Sequence, residues 1–144
     1  MILFCETSAL VKLYVTEDGY EAVNSATAEA ECVAVSRLAW AELHAALARR
    51  GREAPQDQSA LEQVKHCFAK DWARFFVVEV NQKVVETAGE YSDAFSLPAD
   101  DSVQLASAIR LRDRVGTSVV FACFDRRLNQ AARLLGLECL EEVG

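Results

Sequence analysis

The chain alternates between short, continuously apolar runs and longer segments in which apolar residues recur every three or four positions. The apolar runs predict strands that are buried on both faces of a sheet, because they lack the polar alternation of a half-exposed strand. They lie at residues 2–5, 32–35, 75–80 and 118–124, and residues 137–140 would add a short edge strand. The periodic segments predict helices at residues 9–15, 20–30, 37–50, 58–73 and 82–95, from residue 99 onward, and at 126–135.

Strands that alternate with helices indicate an α/β fold, a three-layer sandwich in which a mostly parallel central sheet is flanked by helices. Connections of this length imply right-handed crossovers. The length of 144 residues suits a single domain, residues 1–144. Ser36 is the predicted N-cap of the third helix. Residues 51–57, which include Pro55, are the predicted break after that helix and the most flexible connection.

The net charge of −7 argues against broad electrostatic binding of nucleic acid, which needs a basic surface. It leaves room for a nucleic-acid enzyme whose acids are offset by bound cations, or for a basic partner protein. No stretch approaches the roughly 20 apolar residues of a membrane span, and the N-terminus lacks the basic flank of a signal peptide. A cytoplasmic protein that does not bind membranes is therefore expected.

The cysteines and histidines predict neither disulfides nor a histidine-based metal site. The five cysteines are odd in number, lie mostly in apolar runs and form no CxxC pair, which favours reduced, buried thiols. The two histidines, His44 and His66, are isolated in the sequence. His44 lies on an apolar helix face, so we expect it to pack rather than to bind a ligand.

Two acids follow predicted strands directly. Glu6 comes after residues 2–5 and Asp125 after residues 118–124, and each precedes a predicted helix. If the two strands are neighbours, both acids lie at the carboxyl edge of the sheet, where open α/β sheets bind ligands. The alternative is that each acid only caps its helix, which would contribute about 0.3–1 kcal/mol.

Two further acids lie on predicted helices. Glu42 falls among small and apolar neighbours, too far into its helix to serve the helix end; alternatively, it pairs with Arg49 or faces solvent. Asp101 shares a face with Gln104 and other residues that are expected to be buried, whereas Asp100 is rotated by about 100° and is the capping or solvated acid. No lysine or histidine near these acids is placed to act as a general base.

Carboxylates gathered without compensating cations repel one another, so a pocket built from Glu6, Glu42, Asp101 and Asp125 (the four candidate acids) is expected to bind a metal ion. Hard oxygen ligands select Mg²⁺ or Mn²⁺. Such a site suits the hydrolysis of phosphodiesters, because the metal activates water and stabilises charge on the phosphate.

Four segments closely resemble the PIN-domain family and, within it, VapC-type ribonuclease toxins. They are ILFCETSALVKLY at residues 2–14, SRLAWAE at 36–42, DSVQLA at 101–106, and FDRRL at 124–128 with the Gly136–Leu137 pair beyond it. The resemblance implies a PIN fold, RNA cleavage that depends on Mg²⁺ or Mn²⁺, and the four candidate acids as metal ligands. It also implies a cognate antitoxin that blocks the site, and a homodimer.

The resemblance assigns Ser8 to the family's hydroxyl beside the first acid, where it would hold a carboxylate or a metal-bound water; alternatively, Ser8 is only an N-cap. Two positions depart from the family pattern. The first acid is usually Asp and is here Glu6, and the position three residues after the third acid is often His and is here Gln104. Glu6 is one methylene longer than Asp, and a catalytic group displaced by about an ångström can lower the rate about a hundredfold.

Two other functions fit parts of the sequence. The first is a catalytically impaired PIN-like module that binds RNA or protein without cleavage, and metal-dependent RNA cleavage that EDTA abolishes would exclude it. The second is a receiver-type signalling domain, which also gathers acids around Mg²⁺. A receiver needs a phosphoacceptor Asp on a central strand and a lysine opposite, and no lysine ends another predicted strand here.

Overall fold

The computed structural model describes residues 1–140. The strands are β1 (Ile2–Cys5), β2 (Cys32–Ser36), β3 (Phe76–Val78), β4 (Val119–Ala122) and β5 (Glu138–Cys139). They form a sheet in the order β3-β2-β1-β4-β5, in which every neighbouring pair is parallel. The predicted parallel sheet is confirmed, and so is the short edge strand near the C-terminus.

The helices lie between the strands along the chain, as predicted. They are α1 (Thr7–Lys12), α2 (Tyr20–Glu29), α3 (Ala39–Glu53), α4 (Gln58–Trp72), α5 (Gln82–Phe95), α6 (Ala99–Arg114) and α7 (Arg126–Leu134), with a short 3₁₀ turn at Pro55–Asp57. Gly136, whose φ of 84° a residue with a side chain rarely adopts, follows the end of α7. Within residues 1–140, no helix has both the length and the apolar content needed to cross a bilayer.

The side chains of β1 alternate between two hydrophobic cores. Ile2 and Phe4 join a core that includes buried residues of α6 and α7, where the rings of Phe4 and Phe121 stack with centroids 5.9 Å apart. Leu3 and Cys5 join the second core, which includes buried residues of α1 to α4. Full burial of a side chain such as Leu or Phe stabilises the folded state by about 1.5–3 kcal/mol. The three-layer sandwich is confirmed, and β1 is held from both sides.

His44 packs within an aromatic cluster, as expected. Its ring centroid lies 4.8 Å from that of Trp40 and 5.9 Å from that of Phe68, and its Nδ1 lies 2.7 Å from the Trp40 carbonyl oxygen. The rings of Trp40 and Phe68 in turn stack with centroids 5.3 Å apart. The five cysteines are free thiols, but only Cys5 and Cys123 are fully buried, and the expectation of burial is wrong for Cys67, which is exposed on α4.

The prediction for Ser36 is wrong. Ser36 is the last residue of β2 rather than the N-cap of α3, and the helix begins only at Ala39. Its hydroxyl still accepts a hydrogen bond from the Leu38 N–H at 3.2 Å, so it stabilises the turn that leads into the helix. The strand pairing of Ser36 with Val78 fixes its backbone as extended, and this tertiary constraint outweighs the local capping preference.

The predicted break at residues 51–57 begins later than predicted, because α3 continues through Gly51 to Glu53 and the 3₁₀ turn follows at Pro55–Asp57. Glycine costs about 1 kcal/mol relative to alanine inside a helix, which is too little to end a helix of this length. A Cβ atom built on Gly51 would lie 2.9 Å from Gln58 Oε1, the end of a flexible side chain, and 3.5 Å from Leu61 Cδ1.

Candidate functional site

Glu6 lies at the carboxyl end of β1, between the two strands that pair with β1. Cys5 is in register with Ala122 of β4, and the Glu6 N–H donates to the Ala122 carbonyl oxygen at 3.0 Å. β2 and β3 lie on one side of β1, and β4 and β5 lie on the other. The strand order therefore reverses at β1, and Glu6 lies at this point. Ligands bind at such points in open α/β sheets.

The Glu6 carboxylate is buried and faces its own helix. Its Oε2 accepts hydrogen bonds from the Ser8 N–H at 2.9 Å and from the Ser8 hydroxyl at 2.5 Å. Glu6 is therefore the N-cap of α1. The helix begins at Thr7 rather than at residue 9, so the alternative in which Ser8 is the N-cap is wrong. The Ser8 oxygen also accepts from the Phe124 N–H at 2.9 Å.

Asp125 lies after β4 and is the N-cap of α7, where its Oδ1 accepts from the Leu128 N–H at 2.9 Å. The predicted neighbour relationship of its strand with β1 is confirmed. Asp125 is exposed. Its capping role and a role in a site are compatible, because the cap uses one carboxylate oxygen and leaves Oδ2 without a hydrogen bond among residues 1–140.

Glu42 is half-buried and is held by side chains from two other helices. Its Oε1 accepts from the Thr7 hydroxyl at 2.8 Å and from Gln104 Nε2 at 2.6 Å. The alternatives in which Glu42 pairs with Arg49 or only faces solvent are excluded. Arg49 instead forms an ion pair with Glu53, one turn further along α3.

Asp101 lies in the first turn of α6 and is half-buried, whereas its neighbour Asp100 is exposed. This is the predicted difference between the two acids. The pKa of the Asp101 carboxyl is raised to about 6, and burial is the largest cause. The negative charges of Asp100, Asp125, Glu6 and Glu42 contribute to the same shift.

Glu6 and Glu42 are also perturbed by neighbouring acids. Burial raises the pKa of Glu6, the hydrogen bonds from Ser8 lower it, and the charge of Asp125 raises it. Burial likewise raises the pKa of Glu42, the hydrogen bonds from Gln104 and Thr7 lower it, and the charges of Glu6 and Asp100 raise it. Asp101 thus lies within electrostatic reach of the other three candidate acids, and Glu6 within reach of Asp125 and Glu42.

The donor chemistry of this region fits a hard divalent cation. The four candidate acids offer only carboxylate oxygens, and within residues 1–140 none of them forms a salt bridge with a lysine or arginine. In the same part of the chain, no three acidic, histidine or cysteine side chains stand close enough together to hold an ion as they are. Side-chain rotation would therefore accompany binding, and Glu6 and Asp125 are turned toward the backbone of their own helices.

Thr7 and Gln104 contact Glu42 but were not predicted as site residues. Thr7 follows the acid after β1, and a hydroxyl at that position is as typical of a helix N-terminus as of a functional site. Gln104 was noted as a departure from a family pattern, and its place on the inward face of α6 predicted burial. A buried glutamine needs partners for its amide, which is the one signal that could have led to Glu42.

The fold and these acids define a class of protein: an α/β protein that presents unpaired carboxylates at the carboxyl edge of a parallel sheet. Residues 3–134 match the PIN domain family. The chain belongs to the PIN domain family, as its four segments predicted.

One relative in sequence agrees with this membership, and two solved structures share the fold. Ribonuclease VapC45 of Mycobacterium tuberculosis (strain CDC 1551 / Oshkosh) is 33% identical over 135 residues, which cover 94% of this chain and 92% of that protein. The structure of VapBC-1 from nontypeable Haemophilus influenzae matches with a TM-score of 0.64 at 12% identity, over 100% of both chains. The structure of VapBC2 from Rickettsia felis bound to a promoter DNA fragment matches with a TM-score of 0.62 at 17% identity, over 96% of this chain and 97% of that one.

Proposed function

We propose that this chain is an endoribonuclease that hydrolyses RNA phosphodiester bonds and that it is the toxin of a toxin–antitoxin pair. The observation that carries the proposal is the group of mutually perturbed, unpaired carboxylates at the carboxyl edge of the sheet. The similarity to Ribonuclease VapC45, which spans 94% of this chain, supports RNA as the substrate. We assign the whole chain, residues 1–144, to one PIN-like domain.

The cofactor in this proposal is Mg²⁺ or Mn²⁺, with Glu6, Glu42, Asp101 and Asp125 as its ligands. Both ions prefer carboxylate oxygens, and the four acids supply nothing else. A bound divalent cation would supply Lewis-acid stabilisation of charge on the phosphate and would activate water. It would also offset the repulsion between an acidic protein, with a net charge of −7, and its polyanionic substrate.

The residues of the chain have separate tasks in this scheme. Glu42, held by Thr7 and Gln104, is the acid whose position is fixed by other side chains. Ser8 orients Glu6 through its hydroxyl and its N–H. Asp101, whose pKa is raised to about 6 by burial and by the charges of the neighbouring acids, would be relieved of repulsion when a cation enters.

The proposed partner is a cognate antitoxin, because the chain resembles VapC-type ribonuclease toxins and is 33% identical to Ribonuclease VapC45. An Arg or Lys of the antitoxin would bind the carboxylates in place of the metal. A homodimer remains a prediction. Because the substrate is cellular RNA, we propose that the protein acts in the cytoplasm.

The experiment is RNA cleavage by the purified protein in Mg²⁺ or Mn²⁺, with EDTA added to a parallel reaction. Asp101→Asn and Glu42→Gln test the site, and Glu29→Gln on the exposed face of α2 is the control for loss of one carboxylate. We expect cleavage that EDTA abolishes and that only the first two variants lose. Cleavage that persists in EDTA, or in both site variants, would contradict the proposal.

One observation favours the alternative, a catalytically impaired PIN-like module that binds RNA or protein without cleavage. Among residues 1–140, no three acidic side chains lie close enough together to bind a metal ion without moving. The longer side chain of Glu6 is already hydrogen-bonded to Ser8. RNA binding by the wild-type protein without cleavage at saturating Mn²⁺ would establish this alternative.

A further inference from the structure

Glu42, Thr7 and Gln104 form a closed triangle of hydrogen bonds that joins α1, α3 and α6. The Thr7 hydroxyl donates to Glu42 Oε1 at 2.8 Å, and Gln104 Nε2 donates to the same oxygen at 2.6 Å. Gln104 Nε2 also donates to the Thr7 hydroxyl oxygen at 3.0 Å. The Thr7 hydroxyl therefore accepts one hydrogen bond and donates another, which leaves it a single orientation.

The Gln104 amide is also held in one orientation. Only its NH₂ group can face two acceptors at once, since its oxygen would repel the carboxylate. That orientation leaves Gln104 Oε1 buried without a hydrogen-bond partner among residues 1–140. A buried oxygen without a partner is unfavourable for stability. The orientation that leaves Gln104 Oε1 without a partner is thus the one that lets Gln104 Nε2 donate to Glu42 and Thr7.

The triangle occupies one oxygen of Glu42 and leaves the other free. Within residues 1–140, Glu42 Oε1 accepts both hydrogen bonds and Oε2 accepts none. A glutamate side chain loses rotamer freedom when it binds a ligand. Here that freedom is already restricted in the free protein, because donors from two other helices hold the carboxylate.

We propose that Gln104 and Thr7 are positioning residues that hold Glu42 so that it offers a single oxygen, Oε2, to a divalent cation. The inference rests on the proposed function for the identity of the ligand, but its geometry is independent of RNA cleavage. The inference assigns a role to Gln104, which occupies a position at which the family often has His. It also separates Gln104 from the other buried polar residues of α6, such as Ser107, whose hydroxyl donates to the Val103 carbonyl oxygen at 2.8 Å, lies 3.2 Å from Ser36 Oγ and, within residues 1–140, forms no hydrogen bond with any of the four candidate acids.

The test is calorimetric titration of the full chain with MnCl₂ alone. Gln104→Met keeps the length and burial of the side chain and removes both donors, and Thr7→Val removes the hydroxyl at constant shape. We expect each to raise the Mn²⁺ dissociation constant by about 10- to 100-fold, which is the usual loss when a group that orients a metal ligand is removed. Thr7→Ser restores the hydroxyl and should bind as the wild type does.

The control is Ser107→Ala, which removes a buried hydroxyl from the same helix and should leave the dissociation constant unchanged. The melting temperature of Gln104→Met should stay within about 4 °C of the wild type, because the variant also removes the unpartnered oxygen. With RNA, the variants should regain cleavage at high Mn²⁺ while the KM for RNA stays constant. If Gln104→Met does not fold, the Thr7→Val and Thr7→Ser pair decides the question.

The inference is overturned if Gln104→Met and Thr7→Val bind Mn²⁺ as tightly as the wild type, or if Ser107→Ala weakens binding to the same extent. A wild-type protein that binds no Mn²⁺ overturns it as well. If the expected pattern of Mn²⁺ affinities is found but the wild type does not cleave RNA, the inference stands and the proposed nuclease activity fails.

Discussion

The Phe124 N–H donates a hydrogen bond to the Ser8 hydroxyl oxygen at 2.9 Å, across 116 positions of the chain. The same hydroxyl donates to Glu6 Oε2. Ser8 therefore links the segment after β1 to the segment after β4, and with them the two acids that follow these strands. One small side chain fixes the relative placement of Glu6 and Asp125.

Ser8→Ala tests this link. The variant leaves the Phe124 N–H without its acceptor and removes one of the hydrogen bonds that lower the pKa of Glu6. We expect a loss of about 1–3 kcal/mol in the free energy of unfolding, measured in urea, and a shift of the acid limb of RNA cleavage to higher pH. Ser8→Thr keeps the hydroxyl and is the control. A variant with wild-type stability and an unchanged pH profile would show that the link has no energetic role.

Asp101→Asn is expected to raise the melting temperature of the metal-free protein at neutral pH. The folded-state pKa of about 6 lies above the ordinary value of 3.8, so the folded state holds this proton more tightly than the unfolded state does. The stability contributed by the protonated carboxyl is full below about pH 4 and is lost as pH rises through about 6. Asparagine cannot ionise, so it avoids that loss.

Thermal melts in EDTA at several pH values measure this effect. The difference between Asp101→Asn and the wild type should be largest near pH 7 and should shrink below about pH 4. Asp93→Asn, an exposed aspartate on α5, is the control for the loss of one negative charge. Equal melting temperatures of Asp101→Asn and wild type at neutral pH would mean that burial and the neighbouring acids do not raise the pKa of Asp101.

The proposed antitoxin gives a third prediction. A protein encoded beside this one should co-purify with it, and replacement of the partner's basic residues by alanine should weaken the complex. Asp101→Asn should weaken it too, because a guanidinium binds a carboxylate through paired, charge-assisted hydrogen bonds that an amide cannot replace. Glu29→Gln, on the exposed face of α2, should leave the affinity for the partner unchanged. Equal affinity of all variants for the partner would show that the complex forms on another surface.

The sequence predicted the elements whose local and tertiary preferences agree. The buried strands and the acids that follow them are such a case, since a continuous apolar run that ends in Glu6 or Asp125 has few other interpretations. Ser36 was mispredicted because its strong local capping signal is outweighed by a distant contact, the strand pairing with Val78. The start of the break after α3 was mispredicted because one glycine costs a helix only about 1 kcal/mol, so α3 continues through Gly51.

The hydrogen-bond partners of the candidate site could not be predicted in this way. Glu42 lies 35 positions from Thr7 and 62 from Gln104. Helix periodicity predicts which face each residue occupies, but it does not predict which two faces meet. The distances between the acids depend on that packing, and so does their mutual perturbation.

The last prediction concerns Glu6, where the family usually has Asp. A longer side chain has one more rotatable bond, so its carboxylate must fold back to reach the same position, and the lost freedom can cost about 1 kcal/mol or more. The structure adds a competitor, because Glu6 Oε2 is already bonded to the Ser8 N–H and hydroxyl. Mg²⁺ tolerates geometric error poorly at its bond lengths of about 2.0–2.1 Å.

We therefore expect Glu6→Asp to bind Mg²⁺ and Mn²⁺ more tightly than the wild type and to cleave RNA faster, whereas Glu6→Gln should lose both properties. Calorimetric titration with each metal and cleavage rates at matched metal concentrations measure the two effects. A slower Glu6→Asp would mean that the surrounding residues have adapted to the longer acid. If neither substitution changes metal affinity, Glu6 is a helix cap and not a ligand.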